Sequence, residues 1–337
     1  MNIFSPPSLL RKYLNTSKKI VILAHHHPDA DAVGSSLALF FILKKLKKSV
    51  HIILPNAFPE FLNWMPSSDK IIRFDENQQK ATTILTKADL IFLLDCNSFK
   101  RLGTDGLSEL SEQSAATKIL IDHHKMPDGY FNGFYFDDKA SSTCELIYRF
   151  TQHLKLLHCL DKKTAQCIYT GLMTDTGSFK YDSVTSNTMR IAAHLLEFNI
   201  KHTQIQQNVF DTYSYDRLKL VGYALSEKLK YLPQYKASYI ALSQKELKKF
   251  NYKKGDTEGL VNMALSIKDV QIAALFTETD KVIRVSLRSK NNLDVDTIAR
   301  KYFKGGGHKN AAGGQMCIPL EEVTQLFEKI VQSLKYY

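Results

Sequence analysis

Through the first half of the chain, apolar and polar positions alternate in blocks rather than residue by residue. Short, continuous apolar runs at residues 20–23, 51–54, 90–94 and 118–121 are separated by segments with helical spacing. Runs of that length read as strands buried on both faces, and their exchange with amphipathic segments predicts a parallel sheet. Helical pieces are expected at residues 35–48, around 58–64, at 108–114 and at 142–153, where Ser141, Ser142 and Thr143 are available as caps. Another is expected from Asp161 to about Met173, ending in a polar loop that contains Asp175.

The rhythm then changes. Residues 186–232 are helical without a cluster of reactive side chains, and Pro233 punctuates them. Strands follow at 237–242, 270–276 and 282–287, with helices near 258–267, at 294–302 and at 320–334. Between the last two helices lies a glycine-rich stretch, residues 305–314, expected to be a loop that leads into a helix start. The predicted fold class is therefore α/β in two domains: an N-terminal parallel-sheet domain (1–185), a helical connector (186–235) and a smaller C-terminal α/β domain (236–337).

Four places in the first half end an apolar strand or helix with an acid or a histidine. They are His25, Asp29 and Asp31 in Ala24-His25-His26-His27-Pro28-Asp29-Ala30-Asp31; Asp95 after residues 90–94; Asp122-His123-His124 after 118–121; and Asp175. Parallel strands deliver their carboxyl ends to one edge of the sheet, so these groups are expected on a single rim. Carboxylates and imidazoles without thiolates favour Mn(II), with Mg(II), Co(II) or Zn(II) compatible. The donors exceed what one ion needs if water and substrate also bind, so two divalent metal ions are expected.

The five cysteines lack a Cys-x-x-Cys pair, which argues against a disulfide framework or a thiolate metal site. With 45 basic and 34 acidic residues the net charge is +11, which favours phosphate-bearing partners. The lysine run at 44–48 reads as a solvated helix face. No apolar run reaches membrane-spanning length and the N-terminus lacks the pattern of a secretory signal, so a cytoplasmic location and no membrane partner are expected.

In this order, His-x-x-Pro-Asp-x-Asp, a lone Asp after a second strand, Asp-His-His and a further Asp resemble the DHH phosphoesterase family. Residues 285–289 (Val-Ser-Leu-Arg-Ser), Asp294-Val295-Asp296 and the run Gly305-Gly306-Gly307-His308 look like the DHH-associated domain of its oligoribonuclease and pAp-phosphatase branch. The resemblance implies that His25 and Asp29 bind one metal, Asp31, His123 and Asp175 the other, and Asp95 both. It implies that His124 faces the substrate phosphate or leaving group and that Asp122 orients the histidines. Which of His25, His26 and His27 is the ligand rests on motif alignment, and Ala30 stands where relatives often carry Gly.

For the second domain, Ser286, Arg288, Ser289, Gly305, Gly306, Gly307 and His308 are the implied substrate-binding residues. On their own chemistry, glycines admit an anion close to backbone N–H groups, and Arg288 offers a bidentate phosphate contact. The implied substrates are short RNAs, degraded to 5′ mononucleotides, and 3′-phosphoadenosine 5′-phosphate (pAp), converted to AMP, in a cleft between the domains. A homodimer is compatible with the sequence. Competing readings are a cyclic di-AMP or pApA phosphodiesterase, a single-strand DNA exonuclease, a manganese pyrophosphatase and a non-catalytic nucleotide-binding module.

Overall fold

The computed structural model describes residues 1–334 apart from 104, 105, 125 and 281. It divides into two compact units, Met1–Thr212 and Tyr213–Tyr337.

The first unit begins β1 (Asn2–Phe4), α1 (Pro7–Thr16), β2 (Lys19–Ala24), α2 (Ala30–Lys45), β3 (Ser49–Leu54), β4 (Ile72–Arg73) and α3 (Gln78–Thr86). It continues β5 (Leu90–Leu94), α4 (Leu107–Gln113), β6 (Thr117–Asp122), β7 (Gly133–Asp137), α5 (Thr143–His153), α6 (Lys162–Asp175), α7 (Ser186–Leu196) and α8 (His202–Phe210). The sheet runs β1-β7-β6-β5-β2-β3-β4 and is parallel except where β1 meets β7. All five residues of β5 are buried, as two-sided covering by helices requires. Alternate strand residues feed two cores: Ile20, Ile22, Phe92 and Ile119 join the helices α2, α5 and α6, while Val21, Leu23, Ile91 and Leu120 face α3 and α4.

Two expectations for this unit change. The region around residues 58–64 is a single 3-10 turn, Glu60–Leu62, rather than a helix. And α2 starts at Ala30, not near Ser35, because Asp29 caps it: the carboxylate accepts from the backbone N–H of Asp31 at 2.9 Å and of Ala32 at 3.0 Å. Asp31 therefore sits in a first helical turn and not in a loop. From Ala30 to Phe40 the helix is buried on every side.

The second unit holds α9 (Tyr215–Tyr223), β8 (Leu229–Leu232), β9 (Ala237–Leu242), α10 (Gln244–Lys249), α11 (Leu260–Leu265), β10 (Ile272–Thr279) and β11 (Val282–Ser289). It ends with α12 (Val295–Tyr302), β12 (Gly306–His308), β13 (Ala311–Met316) and α13 (Leu320–Ser333). Its sheet, β12-β13-β11-β10-β9-β8, is antiparallel except for the β9–β10 pair. Of residues 186–235, α7 and α8 fall in the first unit and α9 in the second.

The glycine stretch is a hairpin, β12 and β13, and no helix starts where it ends. A Cβ on Gly305 would collide with the Gly313 carbonyl, one on Gly307 would lie 2.5 Å from the Ala311 carbonyl, and one on Gly314 would collide with the Phe303 carbonyl. These glycines let strands and chain cross closely, which is a packing demand independent of any anion. The Gly307 N–H is already spent, donating to Asp296 Oδ1 at 2.6 Å.

Candidate active site

Each element of the first-unit rim contributes by its carboxyl end or first turn. β2 ends at Ala24 and presents His25; α2 opens with Asp31; β5 ends at Leu94 and presents Asp95; β6 ends at Asp122, followed by His123 and His124; α6 ends at Asp175. Asp95 takes a left-handed backbone (φ 54°), a conformation that Asp tolerates better than most residues, while its N–H still bonds the Ile121 carbonyl at 3.1 Å. That turn points its buried carboxylate along the rim.

The two Asp95 oxygens face different partners. Oδ2 lies 3.3 Å from His25 Nε2, and Oδ1 lies 3.5 Å from both His123 Nε2 and His124 Nδ1. Asp29 Oδ1 is 4.0 Å from His25 Nε2; Asp31 Oδ2 and Asp175 Oδ2 are 3.8 and 3.3 Å from His123 Nε2. The donors form three overlapping groups: His25, Asp29 and Asp95; Asp31, His123 and Asp175; and Asp95, His123 and His124. Of the three consecutive histidines it is His25 whose ring turns to Asp95, its Nδ1 being engaged by the His26 carbonyl at 2.9 Å. His27 is instead held by Asn56, whose Nδ2 is 2.9 Å from His27 Nδ1. The His26 ring lies where a Cβ on Gly103 would be only 3.1 Å away.

Gathering these groups has an electrostatic cost. Burial and the neighbouring Asp95 charge push Asp31 up to about 7, and burial with the charge of Asp31 raises Asp175 well above the carboxylate range. Burial opposes ionisation of Asp95 too, but hydrogen bonds from His123 and His25 outweigh it and hold Asp95 well below its usual value. His25 shows the converse: burial disfavours its cation, yet Asp95 and Asp29 bring it up to about 9. A cluster of acids that raise one another, with imidazoles aimed between them, fits divalent cations, which would neutralise the acids while the imidazoles ligate in neutral form.

Asp122 is fully buried; its Oδ1 accepts from His124 Nδ1 at 2.8 Å and its Oδ2 has no hydrogen-bond partner among the described residues. The bond fixes His124 with Nε2 as its other nitrogen.

Sequence reasoning missed the groups that brace this rim. The first turn of α5 points at Asp31: the N–H of Thr143 donates to Oδ2 at 2.6 Å and that of Cys144 to Oδ1 at 2.8 Å. Thr143 Oγ1 also donates to Asp95 Oδ1 at 3.0 Å. The caps at residues 141–143 were legible, with Ser142 accepting from Glu145 N–H, but a cap signal does not say what the helix start faces. Two glycines matter as well. A Cβ on Gly171 would lie 2.7 Å from Asp31 Oδ1 and collide with Cys144 Sγ, and one on Gly34 would lie 2.7 Å from the Cys167 carbonyl. These small residues let α6 approach α2 closely enough for Asp175 and Asp31 to share His123.

In the second unit, strand register separates the expected residues. Arg288 pairs with Ala311, which pairs with His308; Ser286 pairs with Gly313, which pairs with Gly306. These two rows share one sheet face. Ser289 lies on the other face and is buried, its hydroxyl donating to the Leu293 carbonyl at 2.6 Å, so the structure does not bring it together with Ser286 and Arg288. Asp294 caps α12 as its position at a helix start suggested, and Asp296 pairs with Arg300 and anchors the hairpin through Gly307.

Fold and site together define a metal-dependent phosphoesterase. Residues 19–172 match the DHH family, N-terminal domain, and residues 233–335 match the DHHA1 domain. The chain belongs to the DHH family. It is 30% identical over 317 residues to the probable bifunctional oligoribonuclease and PAP phosphatase NrnA of Streptococcus mutans, covering 94% of this chain and 95% of the relative. It is 27% identical to the Bacillus subtilis bifunctional oligoribonuclease and PAP phosphatase NrnA, covering 88% and 89%. A crystal structure of an exopolyphosphatase-related protein from Bacteroides fragilis is 40% identical and superposes with a TM-score of 0.94 over 97% of this chain and 95% of that one. No helix among the described residues is long and apolar enough to cross a membrane.

Proposed function

We propose that the chain hydrolyses short oligoribonucleotides to 5′ mononucleotides and pAp to AMP, using two divalent ions, Mn(II) by preference. The observation that carries this reading is Asp95, whose two oxygens face His25 on one side and His123 on the other. His25, Asp29 and Asp95 would hold one ion, and Asp31, Asp95, His123 and Asp175 the other. When bound, such a pair supplies Lewis acidity toward phosphoryl oxygens and acidifies water at neutral pH.

The remaining chemistry belongs to side chains. Asp122 holds the His124 Nδ1 proton, so that Nε2 serves the substrate phosphate or the departing oxygen. Thr143 and the start of α5 keep Asp31 and Asp95 oriented whether or not substrate is present. Arg288, Ser286 and His308 of the second unit bind substrate phosphate, while the close strand crossing at Gly305 and Gly307 holds the hairpin that carries His308.

A panel of RNAs of two to five nucleotides, longer RNA, single-stranded DNA, pAp, pApA and cyclic di-AMP, each with Mn(II) and with chelator, tests the proposal. Short RNA and pAp should turn over fastest, and only with metal. Faster hydrolysis of cyclic di-AMP or of DNA would overturn the substrate assignment.

A further inference from the structure

Away from the rim, the first unit carries a cavity of about 520 Å³ at the β3–β4 edge of its sheet. It forms because β4 pairs with β3 only at Ile53 and Leu54, which leaves the earlier part of β3, paired with β2 on its inner side, without a strand on its outer side among the described residues. Phe40 and Lys44 of α2 form one wall, Asn77 and Lys80 beside and on α3 the other, and the segment 69–72 closes one end. Lys44 is 13 residues beyond Asp31 on α2, about 20 Å along the helix axis, so the cavity is separate from the metal-ligand cluster.

Its lining has two characters. Lys44, Lys70, Lys80 and His51 contribute four basic groups against one acid, Asp69. None of the three lysines forms an ion pair among the described residues, although Lys44 lies 5.7 Å over the Phe40 ring. Partial burial and then the charges of Lys44 and Lys80 hold His51 below its usual pKa. Phe40, Val50, Ile71 and Ile72 supply the apolar part. The volume falls within the range of small-molecule sites, about 300–1,000 Å³.

Lysines bind phosphate as point charges, and an apolar wall is covered by a ligand that also has a weakly polar body, such as the flat ring of a nucleobase. Inorganic phosphate would leave that wall wet, and a neutral base would leave the lysines facing one another. We propose that this cavity is a second ligand site that takes a nucleoside monophosphate. The phosphate lies among Lys44, Lys70 and Lys80, the base lies against Phe40 and Ile71, and Asp69 accepts from an amino or hydroxyl group of the ligand.

The test is calorimetric titration of the full-length protein with AMP in the presence of chelator, so that no metal ion holds the nucleotide at the rim. AMP should bind saturably, and adenosine and inorganic phosphate should each bind more weakly. The double variant Lys44→Glu/Lys80→Glu should lose at least about tenfold in AMP affinity, because two charge-assisted contacts become repulsive. Its Mn(II)-dependent hydrolysis of short RNA at low nucleotide concentration should be unchanged. Lys70→Glu, checked for folding by circular dichroism, is an independent variant should the double substitution fail to fold. Wild-type affinity for AMP in the folded variants, no AMP binding by the wild type, or tighter lysine-dependent binding of longer RNA would each overturn the proposal. Because these titrations exclude metal, failure of the hydrolytic reading would leave them unaffected.

Discussion

The two units use their sheets in opposite ways. In the first, parallel strands bring Asp95, His123 and, through α2 and α6, Asp31 and Asp175 to one rim from positions far apart in the chain, and most are buried or nearly so. In the second, Arg288 and His308 come from two strands of an antiparallel sheet separated by β13, and they line up by register on a partly open face. A buried, mutually braced cluster holds its geometry before any ligand arrives, whereas an open face contributes contact and charge. The first arrangement suits the chemical step and the second suits capture of substrate.

Four substitutions and a titration sharpen or break that contrast. The largest effect is expected from Asp95→Ala, which removes the group common to both proposed metal-ligand sets. Turnover should fall by well over the roughly 100-fold that an outer-shell partner is worth; near-normal Mn(II)-dependent turnover in the folded variant would refute the bridging assignment. Next comes Gly171→Ala, where an added methyl meets Asp31 and Cys144. Denaturant unfolding should register a loss of about 1–3 kcal/mol, accompanied by weaker metal binding, because overpacking there displaces a ligand. Thr143→Val keeps shape but removes the bond to Asp95 Oδ1, and metal affinity measured by calorimetry should drop about 10–100-fold. Arg288→Ala should raise KM about tenfold with kcat nearly unchanged; a kcat effect larger than the KM effect would erase the division of labour between the units.

The smallest expected effect is on pH dependence. His25 at about 9 and Asp31 at about 7 both have folded values above their ordinary ones of 6.5 and 3.8. Each therefore favours the folded, metal-free protein most at pH below its ordinary value and loses that contribution as pH rises through its folded value. Thermal unfolding of the chelated protein should shift to lower temperature between about pH 4 and pH 9 from these two groups. Metal ligation requires deprotonated donors, so Mn(II) should bind more tightly, with less proton release, across the upper part of that range.

Much of this was legible because it is local. Continuous apolar runs named the buried strands of the first sheet, and an acid or histidine after three of the four marked the rim, since strand direction alone dictates where such residues collect. Asp294 acted as a helix cap by the same short-range logic, whereas Asp29, read only as a rim donor, also caps α2, which moved its start back to Ala30 and carried Asp31 into the helix. The sequence by itself thus determined the class of fold, the donor types and the rim on which they gather.

Only tertiary structure decided which atoms meet. Three adjacent histidines are chemically equivalent on paper, and the selection of His25 comes from its carbonyl-locked ring lying against Asp95. The pairing of the α5 start with Asp31, and the close approach of α6 to α2 at Gly171 and Gly34, depend on contacts between elements far apart in the chain, which no local pattern encodes. The glycines of residues 305–314 carried the wrong local message, because the same absence of a side chain serves an anion-binding loop or a tightly crossed hairpin. Packing against Phe303, Ala311 and Gly313 chose the hairpin, and strand register then set Arg288 and His308 on one face and turned Ser289 to the other.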